Sequence, residues 1–347
     1  MAFTQLDTQC MALALQLSSK GRHTVHANPM VGCVIAHNGE IIAQDYHREF
    51  GKGHAEVNAL AQINGKANGA TMYVTLEPCS HYGKTPPCAE AVIAAGVTKV
   101  IIATLDPNPL VAGAGAQMLK NSGIEVEVGL LENEAKNLNR GFIKRMQTGM
   151  PFVTSKIAMS LDGKIAMASG ESKWITSEAA RVDVHKLRRD NQAILTGSGT
   201  VLKDNPNLTA RLPENSVTPI RVIIDSNNQI TDKKLNVFSD DAQTLVINNE
   251  NCDSAANGKV DLKAALLKLG KMGVNTLLVE AGSGLNGALQ QAGLIDEMVI
   301  YTAPILLGSD ATSMMQLPIS KMNNKIKLQI SDCRQIGVDM KITASFK

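Results

Sequence analysis

The sequence predicts two α/β units that follow one another along the chain. At 347 residues it is long for one domain and comfortable for two. Strand-like and helix-like segments alternate in both halves, which is typical of sheets covered on both faces. Residues 147–151 contain Gly and Pro directly after a charged helical stretch, and such residues interrupt a helix. We therefore predict one domain over residues 1–148 and a second over residues 149–347.

The elements of the first half follow from periodicity and turn residues. A helix is predicted over 8–17, where Cys10, Ala14 and Leu17 share an apolar face. Asn38–Gly39 is a strong hairpin signal between two predicted strands. The further elements are strands over 29–36, 40–44, 71–76, 99–104 and 124–128, and helices from about 54 and over 89–95, 111–122 and 132–146.

Two stretches of the first half carry residues that bind metals. The first contains His54 and Glu56 in an H-x-E pattern, and the second contains Pro78–Cys79 followed by Cys88. Zinc deaminases hold their metal with one His and two Cys, and a Glu that does not ligate carries protons. Three protein ligands leave one tetrahedral position open, as in catalytic zinc sites. We predict that His54, Cys79 and Cys88 bind zinc and that Glu56 is catalytic.

Two other interpretations of this pattern remain open. His81 is close enough in sequence to complete a closed structural zinc site, and the three residues could also be buried without any metal. The cysteines are separated by eight residues, whereas the usual deaminase signature has two. The Glu after the His and the Pro before Cys79 favour the catalytic interpretation.

The second half contains apolar runs typical of strands buried on both faces. These runs are 152–159, 193–196, 220–225, 244–247 and 275–280. Thr176–Ser177–Glu178 is predicted to provide the N-cap and acidic first turn of a helix that ends near Arg189. Residues 282–287 match G-x-G-x-x-G at a strand-to-helix turn, where backbone amides can bind a pyrophosphate. Asp296 comes too early for the ribose-binding acid of a Rossmann fold, and a packing turn is the alternative.

Composition restricts the classes of partner. The net charge is +2, and aromatic residues make up 3% of the chain, which argues against a nucleic-acid-binding surface. No apolar run is long enough to cross a bilayer, and the first residues lack a signal-peptide pattern. The four cysteines other than Cys79 and Cys88 are widely spaced, unlike those of a small disulfide scaffold, which fits a reducing compartment. We expect a cytoplasmic enzyme that acts on small molecules. The alternatives are a nucleic-acid base deaminase with an accessory domain and a non-catalytic binding module whose fold is stabilised by zinc.

Several segments resemble one known family along nearly the whole chain. The segments similar to the deaminase half of bifunctional riboflavin-biosynthesis deaminase/reductases are 28–33, 77–88 and 106–109. Those similar to the reductase half are 160–166, 173–176, 204–206 and 280–282. The family more often has two glycines after the glutamate at 280, where this chain has Ala281 and Gly282.

The resemblance implies a fold, two activities and two cofactors. The fold is a cytidine-deaminase-like α/β/α domain followed by a dihydrofolate-reductase-like α/β domain. The first activity is the zinc-dependent hydrolytic deamination of 2,5-diamino-6-ribosylamino-4(3H)-pyrimidinone 5′-phosphate, with one Zn²⁺ per chain. The second is the NADPH-dependent reduction of the ribosyl group to ribityl. The resemblance also implies a homo-oligomer, either a dimer or a tetramer.

The resemblance also implies contacts for each ligand. The deaminase substrate is expected to contact Asn28, His47 and Lys84. NADPH is expected to contact Ala158, Trp174, Thr200, Asp204, Ser226, Gly282, Ser283, Gly284, Leu285, Asn286, Gly287 and Ala288. The reductase substrate is expected to contact Lys156, Ser172, Arg188, Leu208, Arg211 and Glu280. From residue type alone, the arginines would be solvated surface charges, Trp174 a core residue and Lys84 part of a solvated turn.

Overall fold

The computed structural model describes residues 3–82, 86–108, 112–212 and 218–347. The chain forms two compact units, Met1–Gly149 and Met150–Lys347. In the first unit the helices are α1 (Gln5–Ser19), α2 (Ala55–Gln62), α3 (Cys88–Ala94), α4 (Ala114–Asn121), α5 (Glu132–Leu138) and α6 (Arg140–Thr148). Its strands are β1 (Gly32–His37), β2 (Glu40–Tyr46), β3 (Thr71–Val74), β4 (Lys99–Ile102) and β5 (Glu125–Val128).

The sheet of the first unit has the strand order β2-β1-β3-β4-β5. β3, β4 and β5 are parallel, and β1 is antiparallel to both of its neighbours. Side chains alternate between two apolar clusters along each inner strand. Val34 and Tyr73 pack in the cluster that contains residues of α1, whereas Ile35 and Met72 pack in the cluster that contains residues of α2, α3 and α4. The prediction of a sheet covered on both faces is confirmed.

Several helices differ from the predicted ones. α1 begins at Gln5, because Thr4 and Asp7 form a capping box that the apolar periodicity does not reveal. α2 begins at Ala55, so His54 is its N-cap and lies outside the first turn. The single helix predicted over 132–146 is two helices, and Asn139 lies at the break.

The second unit contains a larger sheet. Its helices are α7 (Glu178–Arg189), α8 (Ser198–Asp204), α9 (Leu262–Lys271) and α10 (Ser283–Gln291). Its strands are β6 (Phe152–Ser160), β7 (Lys164–Ala166), β8 (Ala193–Gly197), β9 (Ile220–Ile224), β10 (Thr244–Ile247), β11 (Thr276–Val279), β12 (Glu297–Ala303), β13 (Thr312–Ser313), β14 (Leu328–Ile336) and β15 (Asp339–Phe346).

The strand order of this sheet is β10-β9-β8-β11-β6-β12-β15-β14. The strands from β10 to β12 are parallel, and β15 and β14 add an antiparallel edge. The five predicted strands correspond to β6, β8, β9, β10 and β11. The sequence did not predict β12, β14 or β15. β14 is largely exposed, and its alternation of apolar and polar residues stops after Ser331, where its pairing with β15 is shifted.

None of the helices in the described ranges combines the length and apolar character needed to cross a bilayer.

Gly32 allows β1 to pass close to α1. A Cβ added at this position would lie 1.9 Å from the carbonyl oxygen of Ala14. We expect Gly32→Ala to lower the free energy of unfolding of the first unit by about 1–3 kcal/mol or more, because overpacking forces the backbone to move. Denaturant unfolding followed by circular dichroism measures this loss.

Gly282→Ala is the matched control for Gly32→Ala. Nothing lies within 4 Å of the Cβ that it would add. Equal stability of the two variants would contradict the close packing of β1 on α1.

Candidate active sites

The three predicted metal ligands meet at one end of the first sheet. His54 precedes α2, Cys79 follows β3, and Cys88 begins α3. Their ligand atoms all lie within 4.8 Å of one another. His54 Nδ1 is 3.1 Å from Cys88 Sγ and 3.7 Å from Cys79 Sγ. Ala89, directly after Cys88, donates its backbone N–H to the Cys79 carbonyl at 3.2 Å.

The chemistry of this donor set fits zinc. Cys79 Sγ accepts a hydrogen bond from the Cys88 backbone N–H at 3.2 Å. Hydrogen bonding by the Cys88 thiol, opposed by burial and reinforced by His54, lowers the pKa of the Cys79 thiol to about 4. The same interaction with Cys79, together with burial, raises the pKa of Cys88. A thiolate, a second sulfur and an imidazole nitrogen pointing at one place are the ligands that zinc takes in proteins.

His81 does not join this group. Within the described part of the chain, the metal-ligand cluster consists of His54, Cys79 and Cys88, and His81 is exposed. The interpretation as a closed structural zinc site therefore lacks its suspected fourth ligand. The open arrangement is the one expected of a catalytic site.

Glu56 lies in the first turn of α2, directly beside the cluster. It is 3% exposed, and burial raises the pKa of its carboxyl group to about 7. A carboxyl group that titrates near neutral pH can both accept and donate a proton during turnover.

Two of the three predicted substrate contacts lie against the same cluster. The rings of His47 and His54 meet edge to face, with centroids 5.3 Å apart. His47 Nδ1 is 3.1 Å from the Gly53 carbonyl oxygen, which can only accept. Nε2 therefore accepts from the Asn28 amide nitrogen at 3.0 Å. Lys84, the third predicted contact, lies outside the described residues.

Glu77 was not singled out by the sequence analysis as a site residue. Its buried carboxylate accepts backbone N–H bonds from Asp106 at 3.0 Å, Gly113 at 2.9 Å and Ala116 at 3.0 Å. These donors lie in the loop after β4 and at the beginning of α4. Glu77 directly precedes Pro78–Cys79. Its bonds therefore hold in place the segment after β3 that carries the predicted metal ligand Cys79. The motif contained this residue, but the distant donors cannot be read from sequence.

A groove runs across the second unit. It consists of two cavities of ≈870 Å³ and ≈680 Å³ that share Gly197, Gly199, Gly284 and Leu285. The predicted residues that line the larger cavity are Lys156, Ala158, Ser172, Trp174, Arg188, Thr200, Asp204, Leu208, Arg211, Glu280, Gly282, Ser283, Gly284, Leu285 and Asn286. Those that line the smaller cavity are Ser226, Gly284, Leu285 and Ala288.

Gly287 lines neither cavity. A Cβ at this position would lie 2.3 Å from the backbone oxygen of Gln316. The packing interpretation of the glycine motif therefore applies to its last glycine. Gly282 is the N-cap of α10, so the amides at the beginning of that helix lie at the groove.

A half-buried ion cluster lies in the larger cavity. Glu280 accepts from Arg188 Nε at 2.6 Å and Nη2 at 3.0 Å, and Lys156 Nζ lies 3.0 Å away. Burial alone would raise the pKa of Glu280, but the charges of Arg188 and Lys156 hold it well below its usual range. Arg188 is thus a half-buried ion-pair partner, and the interpretation as a solvated surface charge is wrong.

Further residues of this cavity are basic. Arg181, His185 and Lys203 line it and were not predicted as contacts. Trp174 is 71% exposed, with the Arg181 guanidinium 4.6 Å from its ring centroid, so it is not a core residue. The excess of positive side chains suits a phosphorylated ligand.

Comparison with known proteins assigns a family to each part of the chain. The sequence profile described as the cytidine and deoxycytidylate deaminase zinc-binding region matches residues 4–104. The profile described as the RibD C-terminal domain matches residues 151–342.

Relatives match nearly the full length. Riboflavin biosynthesis protein RibD of Haemophilus influenzae is 47% identical, with 98% of each chain covered. The protein of the same name from Escherichia coli strain K12 is 45% identical, covering 96% of this chain and 98% of that protein. A solved structure of Acinetobacter baumannii RibD superimposes with a TM-score of 0.91 at 41% identity, with 99% of each chain covered.

Fold and sites together define a zinc-dependent deaminase joined on one chain to an NADPH-dependent reductase. The chain belongs to the RibD family, whose members carry out deamination and reduction in riboflavin biosynthesis. The prediction of a cytidine-deaminase-like domain followed by the reductase domain of this family is confirmed.

The bonds to Glu77 lead to a testable expectation. Glu77→Ala leaves three backbone N–H groups without their acceptor, so we expect a loss of about 1–3 kcal/mol or more in the free energy of unfolding. The variant should also lose zinc to a chelator faster, because the segment 77–79, which carries Cys79, is no longer held by these bonds. Unfolding curves and a competition assay with a coloured chelator measure the two effects.

Glu49→Ala removes an exposed glutamate of the same unit and serves as the control. If Glu77→Ala released zinc at the rate of this control, Glu77 would have no part in holding the metal site.

Proposed function

We propose that the first unit deaminates 2,5-diamino-6-ribosylamino-4(3H)-pyrimidinone 5′-phosphate and that the second reduces the ribosyl group of the product to ribityl. One observation carries the first assignment: an open His/Cys/Cys cluster beside a buried glutamate. A Thermotoga maritima relative, 35% identical with a TM-score of 0.89, is described as a diaminohydroxyphosphoribosylaminopyrimidine deaminase/5-amino-6-(5-phosphoribosylamino)uracil reductase.

The deaminase step relies on Glu56. His54, Cys79 and Cys88 would hold zinc, which when bound acts as a Lewis acid and makes water acidic enough to attack at neutral pH. Glu56 relays both protons of the attacking water, the first to the ring nitrogen and the second, from the hydroxyl group of the adduct, to the departing amine. A C–O bond forms, the C–N bond to the exocyclic amine breaks, and ammonia leaves. Asn28, His47 and Lys84 are proposed to orient the pyrimidine.

The reductase step takes place in the groove of the second unit. NADPH, when bound, supplies the hydride that reduces C1 of the opened ribose. The proposed cofactor contacts are Ala158, Trp174, Thr200, Asp204, Ser226 and the turn 282–288, whose helix-initiating amides suit a pyrophosphate. Gly287 would contribute through packing.

The ion cluster is proposed to orient the second substrate. Lys156, Arg188 and Glu280 converge in the larger cavity, with Ser172, Leu208 and Arg211 along the same wall. The candidates for the general acid are Lys156, Asp204 and Glu280. We propose that Lys156 donates the proton that the reduced nitrogen of the substrate requires, because an ammonium group has protons to donate whereas the charges of Arg188 and Lys156 keep Glu280 ionised. Holding donor and acceptor in line is the main contribution that the protein makes to such a transfer.

The assignment of domains is part of the proposal. The deaminase occupies residues 1–148 and the reductase residues 149–347. The division of the chain into compact units after Gly149 supports this boundary, as do the ranges of the two family profiles.

We propose that the enzyme forms a homo-oligomer, a dimer or a tetramer, in the cytoplasm. β14 is the edge strand of the larger sheet, and Ile330 is 61% exposed. Val338, in the turn between β14 and β15, is 64% exposed. An unpaired edge with exposed apolar side chains favours association with a second copy. All six cysteines are free thiols, which supports a reducing compartment.

Glu56→Gln tests the deaminase mechanism. The change keeps the size of the side chain and removes its ability to accept a proton. We expect ammonia release to fall by about 10²–10⁴-fold, the usual contribution of general acid–base catalysis. Zinc content by metal analysis should be unchanged, and reduction of the deaminated pyrimidine should continue at the wild-type rate. Full ammonia release by this variant would show that the proton carrier is another group.

Lys156→Met tests the reductase site. The variant keeps the aliphatic stem and removes the ammonium group, which leaves Glu280 paired with Arg188 alone. We expect kcat for NADPH oxidation to fall by about 10²-fold or more through loss of the proton donor, while ammonia release stays constant.

Lys271→Met is the control for Lys156→Met, because Lys271 is exposed in the last turn of α9. Wild-type kcat in Lys156→Met would remove Lys156 from the chemistry.

A further inference from the structure

The segment that carries Asn28 is held from the far end of the first unit. The break between α5 and α6 places Asn139 against the backbone of Met30. Asn139 Oδ1 accepts from the Met30 N–H at 2.8 Å, and Nδ2 donates to the Met30 carbonyl at 2.8 Å. One side chain thus satisfies both backbone groups of one residue, as a neighbouring strand would.

A second contact holds the other side of the same segment. Arg145 Nη2 donates to the Ala27 carbonyl at 2.7 Å. Burial lowers the pKa of this guanidinium, so the contact lies in a poorly solvated place. Asn28 therefore lies between two backbone positions that are bonded to the α5–α6 region, Ala27 and Met30.

This restraint extends to the zinc cluster. The Asn28 amide donates to His47 Nε2 at 3.0 Å, and the His47 ring packs against the ring of His54. Asn139 is 3% exposed, so its amide cannot rely on water for these bonds. A buried amide with both ends bonded to one backbone residue restricts that residue strongly.

We propose that Asn139 is a positioning residue for the deaminase reaction. It fixes the backbone at Met30 so that the Asn28 side chain faces the pyrimidine, and it has no contact with substrate itself. Residues 132–148 lie beyond the range matched by the zinc-binding-region profile, residues 4–104. The proposal rests on the proposed function of the first unit, in which Asn28 contacts the pyrimidine.

A double-mutant cycle in the full chain tests the proposal. The variants are Asn28→Ala, Asn139→Ala and the double variant, assayed for ammonia release over a range of pyrimidine concentrations. Asn28→Ala should raise KM by about tenfold, the value of one lost hydrogen bond, with a smaller change in kcat. Asn139→Ala should also raise KM with a smaller change in kcat. The KM of the double variant should be no higher than that of Asn28→Ala, because both changes remove the same contact between Asn28 and the pyrimidine.

The controls separate positioning from folding. Asn139→Asp keeps an oxygen for the Met30 N–H and places a second oxygen against the Met30 carbonyl, so it should also raise KM. Asn137→Asp makes the same change at an exposed position two residues away and should leave KM unchanged. Zinc content and reduction of the deaminated pyrimidine should match wild type in every variant.

Each alternative result is decisive. If the increases in KM of the two single variants multiplied in the double variant, the two residues would act independently and the proposal would be overturned. An unchanged KM in both Asn139 variants would also overturn it. Loss of zinc in both would also overturn it, since Asn139 would then support the metal site or the fold. Wild-type protein that holds zinc and releases no ammonia would instead refute the proposed function on which the inference depends.

Discussion

The first active site depends on one buried carboxylate that binds three backbone N–H groups. Glu77 stands where β3 ends, and its oxygens fix the loop after β4 and the beginning of α4 to that strand end. Cys79 is two residues further along, so its position is set before any metal binds. The other two ligands lie at helix beginnings: His54 is the N-cap of α2, and Cys88 is the first residue of α3. The metal ligands come from three separate elements, and metal affinity depends on the geometry of the ligands. At least one ligand-bearing segment must therefore be held in place by the protein itself.

The second active site places a glutamate at a comparable position and uses it differently. Glu280 follows β11, in the middle of the larger sheet, and binds two cationic side chains where Glu77 binds amides. Both sites thus lie at the carboxyl ends of parallel strands, where side chains of separate elements converge. In the first unit the acid builds the scaffold for a metal, and in the second it keeps Lys156 and Arg188 together inside a largely basic cavity.

Much of this architecture could be predicted from sequence, and the failures have physical causes. His54, Cys79 and Cys88 were identified because metal ligands are few in type and their spacing is informative. The central parallel strands were found because burial on both faces makes them continuously apolar. β14 was not predicted because its alternation of apolar and polar residues stops after Ser331, where its pairing with β15 is shifted. The break at Asn139 was not predicted because the charged helical pattern of residues 132–146 continues across it. At this break Asn139 bonds to Met30, far away in sequence.

The floor of the reductase groove is bare backbone at Gly199, a position where the fold does not require glycine. It lies in α8 without a positive φ, and no heavy atom lies within 4 Å of the Cβ that an alanine would add. Replacing glycine by alanine at a position whose backbone conformation alanine can adopt stabilises a protein by about 0.4–1 kcal/mol, so a methyl group there would stabilise the fold. Such a methyl group would project where the two cavities join and narrow the passage between their ends. Glycine at this position thus leaves the junction of the two cavities open to an elongated ligand that reaches into both.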